Sequence, residues 1–148
     1  MPPKTRKLID TDRYKRLVET SNDLIWSVDA EGRFTFVNDA ASQRIYGYSA
    51  EEMMGKPFTE LMTGEQARKD LEVFERIKSG HRVFNYRTIH LRKDGSPVHL
   101  SFNAVVEVSV AGEVLGTTGT ATDVSDLVRY AAELERSEER YRLLFENA

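Results

Sequence analysis

Apolar and polar positions repeat along the chain with two different periods, and each change of period marks a predicted helix or strand. Tyr14, Leu17, Val18 and Ser21 stand at i, i+3, i+4 and i+7, which predicts a short amphipathic helix over about residues 11–21. Runs rich in β-branched and aromatic residues, bounded by turn residues, predict strands. By this pattern the strands lie at 23–29, 34–38, 83–92, 97–108 and 114–124.

Two short helices are predicted between the second and third strands, each with its own start and stop signals. Asn38 or Asp39 caps the first, which ends where Gly47 adopts the left-handed conformation. Ser49 begins the second through the capping box Ser-Ala-Glu-Glu, and Gly55 stops it. Residues 58–62 add at most one further turn.

A longer amphipathic helix is predicted at 65–79, where Gly80 closes it. Its apolar face is predicted to hold Ala67, Leu71, Phe74 and Ile77. The first two strands form a hairpin and the last three a meander, and strands joined by short turns run antiparallel. The predicted fold class is therefore α+β, with one antiparallel sheet and helices gathered over one of its faces.

The hairpin around Asp94 allows two registers, which point different side chains inward. A two-residue loop would bury the guanidinium of Arg87 in the apolar layer, whereas a three-residue loop with Gly95 left-handed would not. We predict the three-residue loop because an unpaired buried charge is the larger cost. The inward side chains are then Phe84, Tyr86, Thr88 and His90 on the third strand and Val98, Leu100 and Phe102 on the fourth.

The same register decides what the outer face of the sheet carries. Val83, Ile89, Leu91 and Val105 would lie there among polar residues. That surface is too apolar to face water alone, so we expect another element to cover it.

Composition limits the chemistry that the chain can perform. Its 148 residues suit one domain with helical extensions, and a net charge of −3 with mixed signs gives no electrostatic footprint for nucleic acid. No apolar run is long enough for a membrane span. Residues 1–10 begin with a basic segment that no apolar stretch follows, so we interpret them as a disordered leader. We expect a cytoplasmic protein.

The end of the chain resembles its beginning. Residues 139–148 align without a gap on 12–21, at an offset of 127 residues from Tyr14 to Tyr141. That offset is about the length of one small domain, which indicates a complete domain followed by the first helix of a second; chance similarity is the alternative. Within 126–148, six residues repeat with coiled-coil spacing: Leu127, Ala131, Leu134, Glu138, Tyr141 and Phe145. This spacing favours a coiled-coil linker helix over a single solvated helix.

Eight short segments between about residues 12 and 125 carry a family resemblance. In chain order they are Asp-Leu-Ile-Trp-Ser-Val-Asp at 23–29 with Gly32, Phe-Val-Asn at 36–38, Gly-Tyr-Ser at 47–49, Glu-Glu-Met-Met-Gly-Lys at 51–56, Tyr-Arg at 86–87, Lys-Asp-Gly-Ser at 93–96, Gly116, and Asp-Val-Ser at 123–125. In this order and spacing, the segments resemble the PAS sensory domain family, and 11–125 would be the PAS domain.

The resemblance implies a sheet in the order 2-1-5-4-3, helices over its inner face and a cavity between the two layers. It also implies that the first helix packs on the outer sheet face as an N-terminal cap. Tyr14, Leu17 and Val18, from this subunit or from a partner, would then cover that face, and a homodimer is expected. Tyr141 would mark the first helix of a following PAS domain.

Strand alternation predicts which side chains line that cavity. The candidate ligand-binding residues are Trp26, Tyr86, Thr88, Phe102, Thr117, Gly119 and Ala121. Gly119 and Ala121 are small residues in a buried strand, which indicates room for a ligand or a helix. The hydroxyls of Tyr86 and Thr88 would orient a polar ligand. A plainly packed core is the alternative.

Signal relay is predicted at the junction of the last strand and the exit helix. By family resemblance, Asp123 is structural and ties the strand to the helix, rather than acting as a general base. The candidate relay residues are Asp123, Ser125, Leu127 and Leu134. Strain at Asp123 would pass directly into a parallel two-helix linker.

Several cofactors that PAS domains carry do not match these residues. Without cysteine the chain cannot attach a flavin covalently or use a thiolate. The predicted long helix holds no histidine to ligate haem, and His81 just beyond it reads as a solvated residue. His90 and His99 fall on opposite faces, so no metal site is predicted. Catalytic motifs are absent as well.

The sequence therefore predicts a non-catalytic sensory and dimerisation module that binds a small ligand or cofactor and relays a signal through its C-terminal helix. The output domain, outside this chain, would be a two-component histidine kinase or a diguanylate cyclase or phosphodiesterase. Two alternatives stay open: a ligand-free dimerisation spacer and a redox sensor that holds a non-covalent flavin.

Overall fold

The computed structural model describes residues 3–146, with side chains from residue 10 onward. Its strands are β1 (Leu24–Asp29), β2 (Phe34–Val37), β3 (Val83–Leu91), β4 (Pro97–Val108) and β5 (Val114–Asp123). Its helices are α1 (Pro3–Thr20), α2 (Asp39–Tyr46), α3 (Ala50–Met53), α4 (Gly64–Lys78) and α5 (Ser125–Glu146), with one 3₁₀ turn at Phe58–Leu61. All strands pair antiparallel in the predicted order, β2-β1-β5-β4-β3.

The hairpin between β3 and β4 adopts the register with the three-residue loop. Arg92 N donates to Ser96 O at 2.8 Å, and Gly95 takes the left-handed conformation at φ +85°. Thr88 therefore faces Leu100, and His90 faces Val98, on the inner side of the sheet, while Arg87 stays exposed. The cost of burying a guanidinium was the right criterion for choosing between the two registers.

A β-bulge at the start of β3 changes the side that two predicted residues face. The register slips between Val83 and Tyr86, where Asn85 has a positive φ of +56°. Val83 then pairs with Ala104 and packs on the core, while Phe84 is 65% exposed. The predicted sides of Val83 and Phe84 were both wrong because one extra residue in a strand reverses its alternation.

The capping signals before α3 and after α2 are confirmed. Ser49 Oγ accepts a hydrogen bond from Glu52 N at 3.1 Å, and Ser49 N donates to Glu52 Oε1 at 3.2 Å. Gly47, at φ +82°, ends α2. These two signals fix the short helices over the inner face of β1 and β2.

Asn38 precedes α2 without capping it through its side chain. The buried Asn38 side chain accepts from Ile25 N at 2.8 Å and donates to Val18 O at 2.9 Å and Asp23 O at 3.0 Å. It thereby joins the end of α1 to β1.

The buried face of α4 is rotated from the predicted one. Asp70, Val73, Phe74 and Ile77 are buried, whereas Leu71 is 43% exposed. The prediction of Leu71 as a core residue was wrong because the buried face of α4 includes Asp70 in its place. Asp70 is buried because hydrogen-bond donors surround it, as described below.

Helix α1 begins earlier than the predicted helix and does not cover the outer face of the sheet within this chain. It runs back to Pro3 because residues 4–20 contain neither glycine nor proline and proline is tolerated in a first helical turn. The leader predicted at 1–10 is therefore helical over 3–10, and residues 1–2 lie outside the described range. Tyr14 and Leu17 are 68% and 59% exposed, so they do not cover the outer sheet face within this chain.

Helix α5 leaves the domain directly after β5. None of its described residues is buried in the monomer, and Leu127, Leu134 and Tyr141 are 60% or more exposed. At 22 residues it is about 33 Å long. The residues aligned with the first helix fall within α5 up to residue 146, and 147–148 lie outside the described range.

Candidate functional site

A small cavity of about 70 Å³ lies between the inner face of the sheet and α4. Its walls are mainly apolar. Those on the sheet side are Trp26, Val28, Phe34, Phe102 and Ala104, and those on the helical side are Phe58, Val73, Phe74 and Ile77. Edge-to-face ring contacts fix both sides, with centroids 5.7 Å apart for Trp26 and Phe102 and 5.2 Å apart for Phe58 and Phe74.

One end of the cavity is polar and centres on the carboxylate of Asp70. Its Oδ1 accepts from Tyr86 Oη at 2.7 Å and from Gln66 Nε2 at 2.9 Å. Its Oδ2 accepts from Thr88 Oγ1 at 2.9 Å and lies 3.2 Å from His90 Nε2. Four donors thus occupy the two oxygens of one buried carboxylate.

These four donors come together because of two periodicities. Tyr86, Thr88 and His90 alternate along β3, so the hairpin register places all three on the inner face. Gln66 lies one turn before Asp70 on α4 and so reaches the same carboxylate. Asp70 is therefore the point at which α4 is fastened to the edge strand of the sheet.

The hydrogen bonds decide the charge of this carboxylate. Burial alone would raise the pKa of Asp70, but the bonds from His90, Tyr86, Gln66 and Thr88 outweigh it and hold that pKa below its ordinary value. Burial raises the pKa of Tyr86, and so does its bond to the Asp70 carboxylate. Asp70 is accordingly ionised at neutral pH while Tyr86 keeps its proton and donates it.

The network continues from the cavity to α2. Tyr46 Oη lies 2.8 Å from His90 Nδ1, and the two rings stack with centroids 5.9 Å apart. Burial, followed by the charge of Asp70, raises the pKa of Tyr46. Tyr46 therefore keeps its proton, and in the His90 tautomer that donates Nε2–H to Asp70, Nδ1 accepts from Tyr46 Oη.

The structure brings five of the seven predicted ligand-binding residues to this cavity, namely Trp26, Tyr86, Thr88, Phe102 and Thr117. Gly119 and Ala121 do not line it. A Cβ at Gly119 would lie 1.8 Å from the carbonyl oxygen of Asn103, so glycine is required by close contact with β4 and leaves no space. Ala121 is fully buried in the packed core. The reading of these two as cavity residues was wrong.

Sequence reasoning missed Asp70, Gln66 and His90 as members of the site. The available signal was the series 66, 70, 73, 74 and 77, which lies on one helical face and combines polar with apolar residues. His90 was predicted to point inward, but no partner for it was predicted. A buried polar residue opposite three inward polar side chains on a strand was the pattern to look for.

The predicted relay residues lie where β5 passes into α5. Asp123 Oδ1 accepts from Ser125 N at 2.9 Å, and Ser125 Oγ accepts from His99 N at 3.0 Å. Asp123 Oδ2 lies 3.8 Å from Arg92 Nη2. Leu127 and Leu134 follow on α5 and are exposed.

Two features are absent from residues 3–146, a cluster of metal ligands and a helix that could cross a membrane. That range holds no cluster of three or more histidine, cysteine, aspartate or glutamate side chains arranged to bind a metal ion. His81 is exposed, with Nδ1 within 3.3 Å of Ser79 Oγ. Every helix in the same range is too short or too polar to span a bilayer.

A family model described as the PAS fold matches residues 12–124. This chain therefore belongs to the PAS family, and the family prediction is confirmed. The PAS domain itself is a sensory and non-catalytic fold.

Two curated relatives are kinases. The chain is 29% identical over 140 residues to Sporulation kinase A of Bacillus subtilis (strain 168), covering 93% of this chain and 22% of that protein. It is 29% identical over 139 residues to Methanogenesis regulatory histidine kinase FilI of Methanothrix harundinacea (strain 6Ac), covering 92% and 15%. The chain thus spans less than a quarter of the length of either relative.

Solved structures share the fold. The PAS domain of a protein from Colwellia psychrerythraea superposes with a TM-score of 0.71 at 19% identity, covering 78% of this chain and 98% of that one. An RNA-binding Light-Oxygen-Voltage receptor gives 0.73 at 21% identity, covering 87% and 37%. At these identities the likeness shows the fold alone.

The Asp70 network predicts a pH-dependent loss of stability on substitution. Asp70→Asn should lower the free energy of unfolding at pH 7 by about 2–3 kcal/mol, because the amide nitrogen cannot accept from the donors that face it. The folded pKa of Asp70 lies below its unfolded value, so its contribution is present above about pH 4 and is lost as pH falls through the folded pKa. Urea denaturation at pH 7 and pH 3 should therefore show the difference between the two proteins narrowing in acid.

Glu72→Gln, an exposed change on the same helix, is the matched control and should alter stability by less than about 0.5 kcal/mol. Equal stability of wild type and Asp70→Asn at pH 7 would contradict the role given to this carboxylate.

Proposed function

We propose that this chain is a sensory and dimerisation module that binds a small ligand in the cavity and transmits the change through α5 to an output domain. The observation that carries the proposal is the continuous network from the cavity to the start of α5. Asp70 contacts the cavity, His90 and Tyr46 connect it to α2, and Arg92 connects α2 to Asp123.

Arg92 is central to this route. Its Nε donates to Ile45 O at the end of α2, at 3.2 Å, and its Nη1 donates to Pro97 O at 2.8 Å. Nη2 of the same guanidinium faces Asp123 at 3.8 Å. Lys93 N also donates to Tyr46 O at 2.8 Å. Movement of Tyr46 would therefore reach α5 through the β3–β4 hairpin, which holds Arg92 and Lys93.

The proposed output is a histidine kinase. Both curated relatives are named as kinases, and one of them as a histidine kinase. This favours a kinase over the diguanylate cyclase or phosphodiesterase that the sequence left open. Because the chain spans a small part of each relative, the kinase belongs to the proposal for the whole protein.

The proposed dimer uses the exposed apolar side chains of α1 and α5. Tyr14 and Leu17 on α1, and Leu127 and Leu134 on α5, are each about 60% exposed or more. Such side chains are stabilised when a second copy covers them. The parallel arrangement of two α5 helices would carry the signal away from the domain.

The size of the cavity helps to choose between the alternatives. A site for a drug-sized molecule or cofactor is typically about 300–1,000 Å³, whereas this cavity is about 70 Å³. This favours a small ligand over a non-covalent flavin. An absorption spectrum of the purified protein checks for flavin, and native mass spectrometry distinguishes a bound small ligand from a ligand-free spacer.

Dimerisation through α5 predicts that charge on its apolar seam separates the subunits. The double change Leu127→Glu with Leu134→Glu should weaken self-association at least about tenfold, because it places four carboxylates in one interface. Sedimentation equilibrium at micromolar concentration measures this, and the fold should persist since neither side chain is buried in the monomer.

Arg136→Glu, which is exposed on α5 away from the seam, is the control and should leave association unchanged. A wild-type chain that stays monomeric at high concentration would rule out the proposed dimer.

Signal transfer along α5 predicts a dependence on helical phase. One residue turns a helix by about 100°, so seven inserted residues nearly restore the phase and four leave a rotation of roughly 40°. In the full-length protein, seven residues inserted between Arg136 and Ser137 should preserve regulated kinase output, and four should lock it on or off. Autophosphorylation with and without the signal measures both. Similar behaviour of the two insertions would make α5 a passive tether.

The contact between Asp123 and Arg92 predicts a variant that separates binding from output. Asp123→Ala should leave ligand binding nearly unchanged, because Asp123 does not line the cavity, and should lower stability by only about 1 kcal/mol through loss of the bond from Ser125 N and the partly exposed pair with Arg92. It should abolish the response of kinase activity to ligand.

Asp126→Ala removes another exposed carboxylate, three residues along, which accepts from Arg129 Nη2 at 2.8 Å. We expect this control to keep the response. A normal response in Asp123→Ala would exclude the route through Arg92.

A further inference from the structure

The cavity between α4 and the sheet is enclosed almost entirely by carbon. Ten of its fifteen lining residues are aliphatic residues, phenylalanine or tryptophan, and the surface around the empty space is almost wholly apolar. The other five lining residues carry polar groups: Asp70, Tyr86, Thr88, His90 and Thr117. What those polar groups face decides which molecules the cavity can hold.

Four of the five polar side chains direct their hydrogen-bonding groups at one another. Tyr86 and Thr88 each donate the single hydrogen of the hydroxyl to Asp70, at 2.7 and 2.9 Å, and His90 Nε2 lies 3.2 Å from the same carboxylate. Gln66 supplies the fourth donor at 2.9 Å. The acceptor positions of Asp70 are therefore filled, and neither hydroxyl has a hydrogen left for a ligand. The polar end of the cavity is satisfied within the protein.

The hydroxyl of Thr117 lies apart from that network. Thr117 is on β5, four residues before Ala121, and Ala121 is the residue in the same cross-strand row as Phe102 and Tyr86. At about 3.3 Å per residue, four residues span about 13 Å along the strand. A buried water needs about two to four polar partners. One hydroxyl at this distance from the others does not provide them, so it does not make a polar binding site.

Trp26 contributes its ring to the wall and not its N–H group. Nε1 of Trp26 is buried and has no partner among the described residues, while the residue lines the cavity. The atoms that Trp26 presents to the open space are therefore ring carbons. A ligand in the cavity gains a contact with an aromatic surface there and no hydrogen bond.

The volume and the walls together define what fits. An apolar cavity of about 150 Å³ stays dry and binds benzene or xenon, and the present cavity of about 70 Å³ is roughly half that size. Walls around an unfilled space lack dispersion contacts on one side, and an apolar molecule that fits supplies them. A charged molecule would lose its hydration among these walls without compensation.

We propose that the cavity binds a hydrocarbon smaller than benzene, held by contact with its apolar walls and by no hydrogen bond. The wall residues that it would contact include Val28, Phe74, Ile77 and Ala104. The proposal rests on the proposed sensory function and names the ligand class of its site.

Isobutane and 2-propanol are a matched pair of probes, since they differ only by a methyl group in place of a hydroxyl. With the full chain ¹³C-labelled at methyl groups, isobutane should give saturable shifts in the cavity methyl signals, which belong to Val28, Val73, Ile77, Val83 and Ala104. The methyl signals of Val110, in the exposed β4–β5 turn, should not shift. 2-Propanol at the same concentration should shift neither set. No saturable shift with isobutane, or equal binding of the two probes, would overturn the proposal.

A first variant tests whether a hydroxyl holds the ligand. Thr117→Val exchanges the hydroxyl for a methyl group of similar size, which makes the wall more apolar. It should strengthen isobutane binding by about two- to fourfold, as expected for one more buried methyl group. Weaker binding in Thr117→Val would show that the hydroxyl holds the ligand and would overturn the proposal.

A second variant tests the location. Ala104→Leu adds side-chain volume at a wall position that is 4% exposed. It should weaken isobutane binding at least about tenfold, because the added atoms occupy the space. Val110→Leu adds a methylene at an exposed position and should leave binding unchanged. Unaltered binding in Ala104→Leu would place the ligand elsewhere and contradict the proposal. If Ala104→Leu does not fold, Thr117→Val and the comparison with 2-propanol decide.

Failure of this proposal is distinguishable from failure of the sensory function. A cavity that rejects isobutane while the two insertions in α5 still differ would refute the ligand class and retain the sensor. Binding of isobutane with no effect of helical phase would do the reverse.

Discussion

The burial of one ionised carboxylate, Asp70, is the constraint on which the inner layer of this domain depends. A charge placed among Val73, Phe74 and the apolar sheet would be strongly unfavourable without partners. Four donors from α4 and β3 compensate for it. Because three of those donors sit on the edge strand, the carboxylate fixes the distance between α4 and β3 and so sets one end of the cavity.

The same interaction connects the interior with the surface. His90 uses one ring nitrogen for Asp70 and the other for Tyr46, so it links the carboxylate to the end of α2. From there the backbone of Ile45 and the side chain of Arg92 reach the β3–β4 hairpin and Asp123. A network in which each member has two partners is better suited to coupling than a set of separate contacts.

Much of the fold could be predicted because single residues decided between alternatives. The cost of burying Arg87 fixed the register of the β3–β4 hairpin, and Gly47 and Ser49 marked helix ends through local chemistry. The bulge at Asn85 could not be read in this way, since an asparagine with positive φ leaves no clear signal. Asp70 was missed because periodicity sorts residues by polarity, and its burial depends on donors that only the tertiary structure brings together.

The hydrogen bonds of Asp70 are stronger than the contact between Arg92 and Asp123, and this difference suits a small ligand. A ligand can shift an equilibrium only by its difference in affinity for the two states. At a ceiling of about 1.5 kcal/mol per non-hydrogen atom, a ligand that fits a cavity of about 70 Å³ has a small total binding energy, and the difference between the two states is a fraction of it. Such a ligand would not dismantle the four bonds of Asp70. The pair of Arg92 and Asp123 is partly exposed and 3.8 Å apart, and an exposed ion pair is worth at most about 1 kcal/mol. We propose that the interior stays intact while the contact at the start of α5 breaks, so that this contact is the point at which a small molecule changes the position of the helix.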